Sequence, residues 1–214
     1  MNANAWFNAA LDAEEAACRA RTAAERKRHG RDAIDALLAA ASLGDDRAIF
    51  KLGIYYKHGE FGLLPARADL AEHWLTLAAK RDNSGAVFAL GILFMETGRK
   101  AQGRKWLRAA LSQGEGGAAC HLGKELEATS PTRALRWYLK GAALGEPFAA
   151  LCAGALLETR GSKRALLQAE ALFEQAARQK FPDTEEGLGR VRGKLEALRI
   201  RAPSVRRAGR SGEE

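Results

Sequence analysis

Ala48-Ile49-Phe50-Lys51-Leu52-Gly53-Ile54-Tyr55-Tyr56-Lys57-His58-Gly59 carries a Leu-Gly pair at its centre, a small residue four positions before it and a Gly at its end. The Leu-Gly pair returns at 90–91, 122–123 and 188–189, and Ala153-Gly154 fills the gap in the series. Successive spacings are 38, 32, 31 and 35 residues. A loose period in this range marks a repeat array whose unit is one helical hairpin.

The register extends well beyond two residues. Four positions before each pair stands Ala48, Ala86, Ala118 or Ala149, with Thr184 in the last unit. Eight positions before it comes Gly44, Asp82, Gly114, Gly145 or Lys180. These read as helix stops, because a left-handed residue, usually Gly, closes a helix. Eight residues before each stop lies Ala36, Trp74, Trp106, Trp137 or Leu172, and three before that Ala33, Ala71, Gly103, Ala134 or Ala169. Length varies only between the Leu-Gly pair and the next Trp, as expected of a two-helix repeat with one variable turn. A Gly inside a helix costs about 0.5–1 kcal/mol relative to Ala. Five of them in register imply a compensating gain, and close approach of a neighbouring helix, with a Trp filling the remaining volume, supplies one.

Two segments resemble a known family. Ala48 to Gly59 reads A-x-x-x-L-G-x-x-Y-x-x-G, and Trp137-Tyr138-Leu139-Lys140-Gly141-Ala142-Ala143-Leu144-Gly145 reads as a W-Y-x-K-A-A-x-x-G ending. Together they resemble the Sel-one-like repeat (SLR), a relative of the tetratricopeptide repeat, over about residues 33–190. Phe94, Leu126 and Leu157 depart from the family's Tyr, Ala153 from its Leu, and Leu172 from its Trp. Arg192 stands where the last Tyr is expected, which suits a terminal cap with one face in solvent. The resemblance implies an all-α, right-handed α/α superhelical solenoid of about five helical hairpins plus a capping helix. Residues 1–44 read as a degenerate leading hairpin, 45–182 as regular repeats and 183–200 as the cap, and the Arg, Pro, Ser and Gly content of 201–214 reads as a basic, disordered tail.

Patterning places helices at 4–28, 31–43, 46–58, 66–81, 84–97, 100–113, 117–129, 132–144, 147–159, 163–179 and 184–200. The first carries Trp6, Ala10, Ala13, Ala17 and Ala24 on one stripe, as the partner of 31–43 or, alternatively, as an oligomerisation helix. The 214 residues, 47% hydrophobic, suffice for a continuous core. No basic n-region or run of about 18 apolar residues is present, and Cys18, Cys120 and Cys152 have no paired spacing. These features favour a reducing cytoplasmic setting for a monomer or weak homo-oligomer with no membrane span.

No enzyme motif stands out, and neither cofactor nor metal is expected. His29, His58, His73 and His121 have no ligand spacing, and Gly114-Glu115-Gly116-Gly117 lacks a phosphate loop's Gly-Lys-Ser/Thr ending. Glu158 and Glu174 read as acids on helix surfaces with no second carboxylate beside them.

The resemblance points instead to a concave groove lined by the first helix of each repeat. Carried onto this chain, the groove positions are Phe50, Ile54 and Lys57, then Phe88, Ile92 and Met95, then Lys124 and Glu127, and Leu151. An apolar strip bordered by charge suits a peptide or amphipathic helix of another protein. The alternatives are burial of the strip against neighbouring repeats or by the chain's own terminus. A second reading concerns charge. Of the net +8, the segment from Arg190 onward carries +5 and residues 1–189 only +3. Arg199, Arg201, Arg206, Arg207 and Arg210 would there contact nucleic acid or an acidic partner. A solubilising tail is the plainer alternative, and no aromatic residue follows Phe181 to stack on bases.

Overall fold

In every unit a helix ends on a left-handed residue and the chain turns at once into the next helix. Gly44, Gly114 and Gly145 have φ of 85°, 94° and 86°, and the two non-glycine stops, Asp82 and Lys180, adopt 59° and 55°. The residue after each stop donates its N–H to a carbonyl five residues back. The five bonds are Asp45 to Ala40, Asn83 to Ala78, Glu115 to Ala110, Glu146 to Gly141, and Phe181 to Ala176, all within 3.0–3.3 Å. This six-to-one bond is the Schellman closure. Asp45 and Asn83 then cap the following helices through their side chains, accepting from Ala48 and Ala86 backbone N–H groups. One residue ends a helix and the next begins another, which explains why this turn keeps a constant length.

The computed structural model describes residues 1–59 and 66–201, the last two by backbone alone. Among them are eleven helices and no strand: α1 (Ala3–Arg19), α2 (Ala23–Ser42), α3 (Asp46–His58), α4 (Ala68–Ala79), α5 (Ser84–Glu96), α6 (Lys100–Ser112), α7 (Gly117–Glu127), α8 (Pro131–Ala143), α9 (Pro147–Arg160), α10 (Lys163–Arg178) and α11 (Thr184–Arg201). The chain forms two compact units, Met1–Leu122 and a second beginning at Gly123. In the first, α1 packs on α2, α3 on α4 and α5 on α6; in the second, α9 packs on α8 and α10, and α11 on α10.

Nine of the helices match their expected spans to within about two residues, and the exception is instructive. The expected break near Gly30 lies instead at 20–22, and Gly30 is buried inside α2. Thr22 caps α2 by accepting from the Glu25 N–H at 3.1 Å, while the Glu25 carboxylate accepts from the Thr22 N–H at 3.2 Å. This reciprocal capping box outweighs a lone Gly as a boundary signal. Ala24 consequently belongs to α2, and α1 buries Phe7, Ala10 and Ala17.

The Leu-Gly series is a packing device, but its partner is not the Trp. A Cβ on Gly53 would lie 2.7 Å from the Leu75 side chain and 3.1 Å from its backbone nitrogen, and on Gly91 2.8 Å and 3.0 Å from the same atoms of Leu107. A Cβ on Gly123 would lie 2.6 Å from the Tyr138 ring, and on Gly154 3.0 Å from Phe173. The knob is therefore the residue after the Trp position. Leu37, Leu75, Leu107, Tyr138 and Phe173 occupy that position and are among the largest fully buried side chains, whereas Trp74, Trp106 and Trp137 are only half-buried. Gly189 departs from the series, since a Cβ there would meet nothing within 4 Å. Gly187 takes its place, since a Cβ there would lie 2.7 Å from the Phe173 ring.

Candidate interaction surface

In the first unit, α3 presents Phe50, Ile54 and Lys57, and α5 presents Phe88, Ile92 and Met95. All six are half-buried. Phe50 and Ile54 pack against the core cluster built by Ile49, Leu75, Leu90 and their neighbours. The tip of the Phe50 ring lies 3.2 Å from where a Gly85 Cβ would sit, so a side chain on the first turn of α5 would crowd it. Phe88 meets His121 edge-on with ring centroids 5.7 Å apart. The Lys57 ammonium lies 3.0 Å from the Glu96 carboxylate and its side chain is only 6% exposed, so this cation is already engaged. Met95 turns towards its own hairpin, its sulfur 2.8 Å from the position of a Gly103 Cβ. Phe50, Ile54, Phe88 and Ile92 are thus half-buried apolar side chains on α3 and α5, and Lys57 pairs with Glu96 between the C-terminal ends of the same two helices.

In the second unit, Lys124 and Glu127 are exposed and Leu151 is half-buried against the core of α8–α11. Glu127 accepts a 2.7 Å hydrogen bond from the Tyr138 hydroxyl, whose ring is buried over Gly123. That bond gives the buried phenol a hydrogen-bond acceptor. Beside Leu151, burial pushes the Cys152 thiol up to about 11, and the Glu127 carboxylate adds to the shift.

The basic end differs from its sequence reading. Glu158 is not a surface acid: it is buried, with Lys194 at 2.7 Å and Arg190 at 3.3 Å. Arg192 pairs with Glu170 at 2.9 Å and Glu174 at 2.8 Å. Burial alone would raise the Glu158 pKa, but hydrogen bonds from Lys194 and Arg190 outweigh it and hold the carboxyl below its ordinary value. Three cations counted towards a basic patch therefore clamp α11 onto α9 and α10. Arg199 is exposed, with Glu196 at 3.6 Å. The Arg201 side chain, and Arg206, Arg207 and Arg210, lie outside the described residues.

The most exposed large apolar side chains lie outside the expected strip. Among the described residues they are Met1, Leu11, Leu38 and Leu43 in the first unit and Leu139, Leu144, Phe148 and Leu167 in the second. The repeat register holds a signal for two of them. Leu38 and Leu139 sit two residues after the Trp position, where the other units carry Thr76, Arg108 and Glu174. Among the described residues, no group of three His, Cys, Asp or Glu side chains is placed to hold a metal ion, and no helix is long and apolar enough to cross a membrane.

No protein-family model and no curated protein matches the chain. Solved structures do. A Sel1 repeat protein from Oxalobacter formigenes is similar with a TM-score of 0.66 and 19% identity, over 93% of this chain and 86% of that one. A protective antigen of uropathogenic Escherichia coli strains, described as displaying an SLR fold, is similar with a TM-score of 0.63 and 20% identity. That match covers 100% of this chain and 51% of the antigen, so the chain spans about half its length. At these identities it is the backbone that is shared: the chain has the SLR fold, its helices packed pairwise in sequence.

Proposed function

We propose that the chain is a non-catalytic protein-interaction scaffold. It holds a short apolar peptide or amphipathic helix of a partner on the wall formed by α3 and α5. The observation that carries this reading is the row Phe50, Ile54, Phe88 and Ile92, half-buried on two neighbouring first helices and bordered by Lys57 and Glu96. Apolar side chains anchored on one side and open on the other supply preorganised contact area, so little rotamer entropy is lost on binding. SLR-type arrays generally serve as interaction scaffolds, which supports the class of partner. Lys124, Glu127 and Leu151, in the second unit, are a separate candidate contact set. The free thiols of Cys18, Cys120 and Cys152 support a reducing setting.

The test is a pull-down with mass spectrometry from the native host, using wild type against Phe88→Ala and Ile92→Ala. Capture is expected to drop in both variants, with less destabilisation than the roughly 2–5 kcal/mol of a core truncation. Undiminished capture would remove the wall as a binding site. A full core-sized stability loss would show these residues to be core. The nucleic-acid reading loses Arg190, Arg192 and Lys194 to internal ion pairs. What remains of it, Arg199 and the residues beyond, is tested by truncation after Arg199: loss of capture there would move the site to the tail.

A further inference from the structure

A cluster of exposed cations lies at the first hairpin, far in sequence from the basic C-terminus. Arg21 in the turn, and Arg26, Lys27, Arg28 and Arg31 on α2, are all exposed. None of the five has an ion-pair or side-chain hydrogen-bond partner among the described residues. The nearby acids are committed or peripheral. Glu25 caps the helix through the backbone of Arg21 and Thr22, Glu15 pairs with Arg19, and Asp32 approaches His29 at 3.9 Å.

The position is electrostatically adverse. Arg26 closes the first turn of α2, where the positive end of the helix dipole disfavours cations. Like charges at Lys27 and Arg31, four residues apart, repel as well. An anionic ligand relieves both penalties. Leu38, 37% exposed, continues the Lys27–Arg31 stripe two turns further along.

We propose that this face of α2 docks an acidic segment of a partner protein, with Asp or Glu side chains over Lys27, Arg28 and Arg31 and an apolar residue on Leu38. The chemistry favours a peptide over nucleic acid on two counts. The face offers no aromatic ring on which a base would stack. Exposed Asp32 and Asp35 interleave with these cations, so the partner needs discrete carboxylates set apart from them, which a peptide can supply and an unbroken row of phosphates cannot. The stripe from Lys27 to Leu38 is about 16 Å long, matching a short segment. This surface is distinct from the α3–α5 wall and does not depend on it.

The experiment is fluorescence anisotropy on the full chain, with a labelled Asp/Glu-rich peptide of about twelve residues carrying two leucines, a span that covers the stripe as a helix. A duplex DNA probe runs in parallel. Lys27→Ala/Arg28→Ala/Arg31→Ala is compared with Lys100→Ala/Lys105→Ala/Arg108→Ala on α6, which removes the same charge from another exposed face. Alanine is the best helix former, so both triples keep their helices. Peptide affinity is expected to fall about tenfold in the α2 triple, the sum of three exposed ion pairs, and to change little in the α6 triple. Leu38→Ala is expected to weaken the peptide by a few-fold with no charge change, and Phe88→Ala to leave it unchanged. Equal losses in the two triples would reduce the effect to net charge and overturn the proposal. So would absence of peptide binding at low salt, tighter binding of the duplex lost in the α2 triple, or loss of the peptide in Phe88→Ala.

Discussion

Gly91→Ala tests the packing device that holds the repeats together. The added methyl would lie 2.8 Å from the Leu107 Cγ and Cδ2 and 3.0 Å from its backbone nitrogen. Leu107 is fully buried, so its side chain has no free volume to enter, and the nitrogen belongs to helix α6 and cannot rotate away. Forcing a methyl group into a packed site costs about 1–3 kcal/mol. Replacing a helical Gly with Ala returns about 0.5–1 kcal/mol. The clash wins, because one of the contacted atoms is backbone, and the net loss is about 1–2 kcal/mol. For a chain of this size that lowers Tm by about 2–8 °C. Gly189→Ala is the internal control, since a methyl there meets nothing within 4 Å. Only the propensity gain remains, and Tm is expected to rise by about 1–4 °C. The assay is thermal unfolding followed by circular dichroism, with both variants measured beside wild type. If Gly91→Ala is neutral or stabilising in the manner of Gly189→Ala, the Leu-Gly pair is not a close-packing device.

The clamp on α11 gives a pH signature. Glu158→Gln removes the anion between Arg190 and Lys194 and is expected to cost about 1–3 kcal/mol at neutral pH. The folded-state pKa of Glu158 lies below its ordinary value of 4.5, so the wild-type advantage is fully present above that value and lost as pH falls through the folded pKa. Denaturation of both proteins across pH 7 to 3 should show the gap closing on the acid side; a gap constant to pH 3 would refute the assignment. The thiols should also separate by reactivity. Cys18 is exposed, whereas Cys152 is raised to about 11 by burial and the nearby Glu127 carboxylate. At pH 8 only about one Cys152 thiol in a thousand is thiolate, so iodoacetamide should alkylate Cys18 well before Cys152, as read by peptide mass spectrometry. Equal rates would contradict the burial of Cys152.

Local signals in the sequence carried a large part of the fold. The stop residues Gly44, Asp82, Gly114, Gly145 and Lys180 all adopt the left-handed conformation, because helix closure is a property of a few neighbouring residues. The break expected between 28 and 31 lies instead at 20–22, where Thr22-Ala23-Ala24-Glu25 spells a capping box in the sequence itself. What faces each Gly was misjudged by one residue. A Trp draws the eye by size, yet the buried knob is the next side chain, and a register count cannot say which of two adjacent large residues turns inward. The candidate wall was legible only as positions. That Met95 folds back over Gly103 on the next helix, and that Lys57 is held by Glu96 on a helix 39 residues further on, depends on contacts between helices.

The amino-acid order by itself determined the all-helical class, the repeat period and nearly every helix boundary, since caps, stops and apolar spacing act within a few residues. Only the tertiary structure decided which charges are free. Along the chain, Arg190, Arg192 and Lys194 read as part of a basic end, whereas nothing in sequence order sets Arg26, Lys27 and Arg28 apart. Folding brings Glu158, Glu170 and Glu174 to the first group, and among the described residues no acid pairs with the second. A side chain's charge is written in the sequence, but the partner that neutralises it is chosen by how the helices pack.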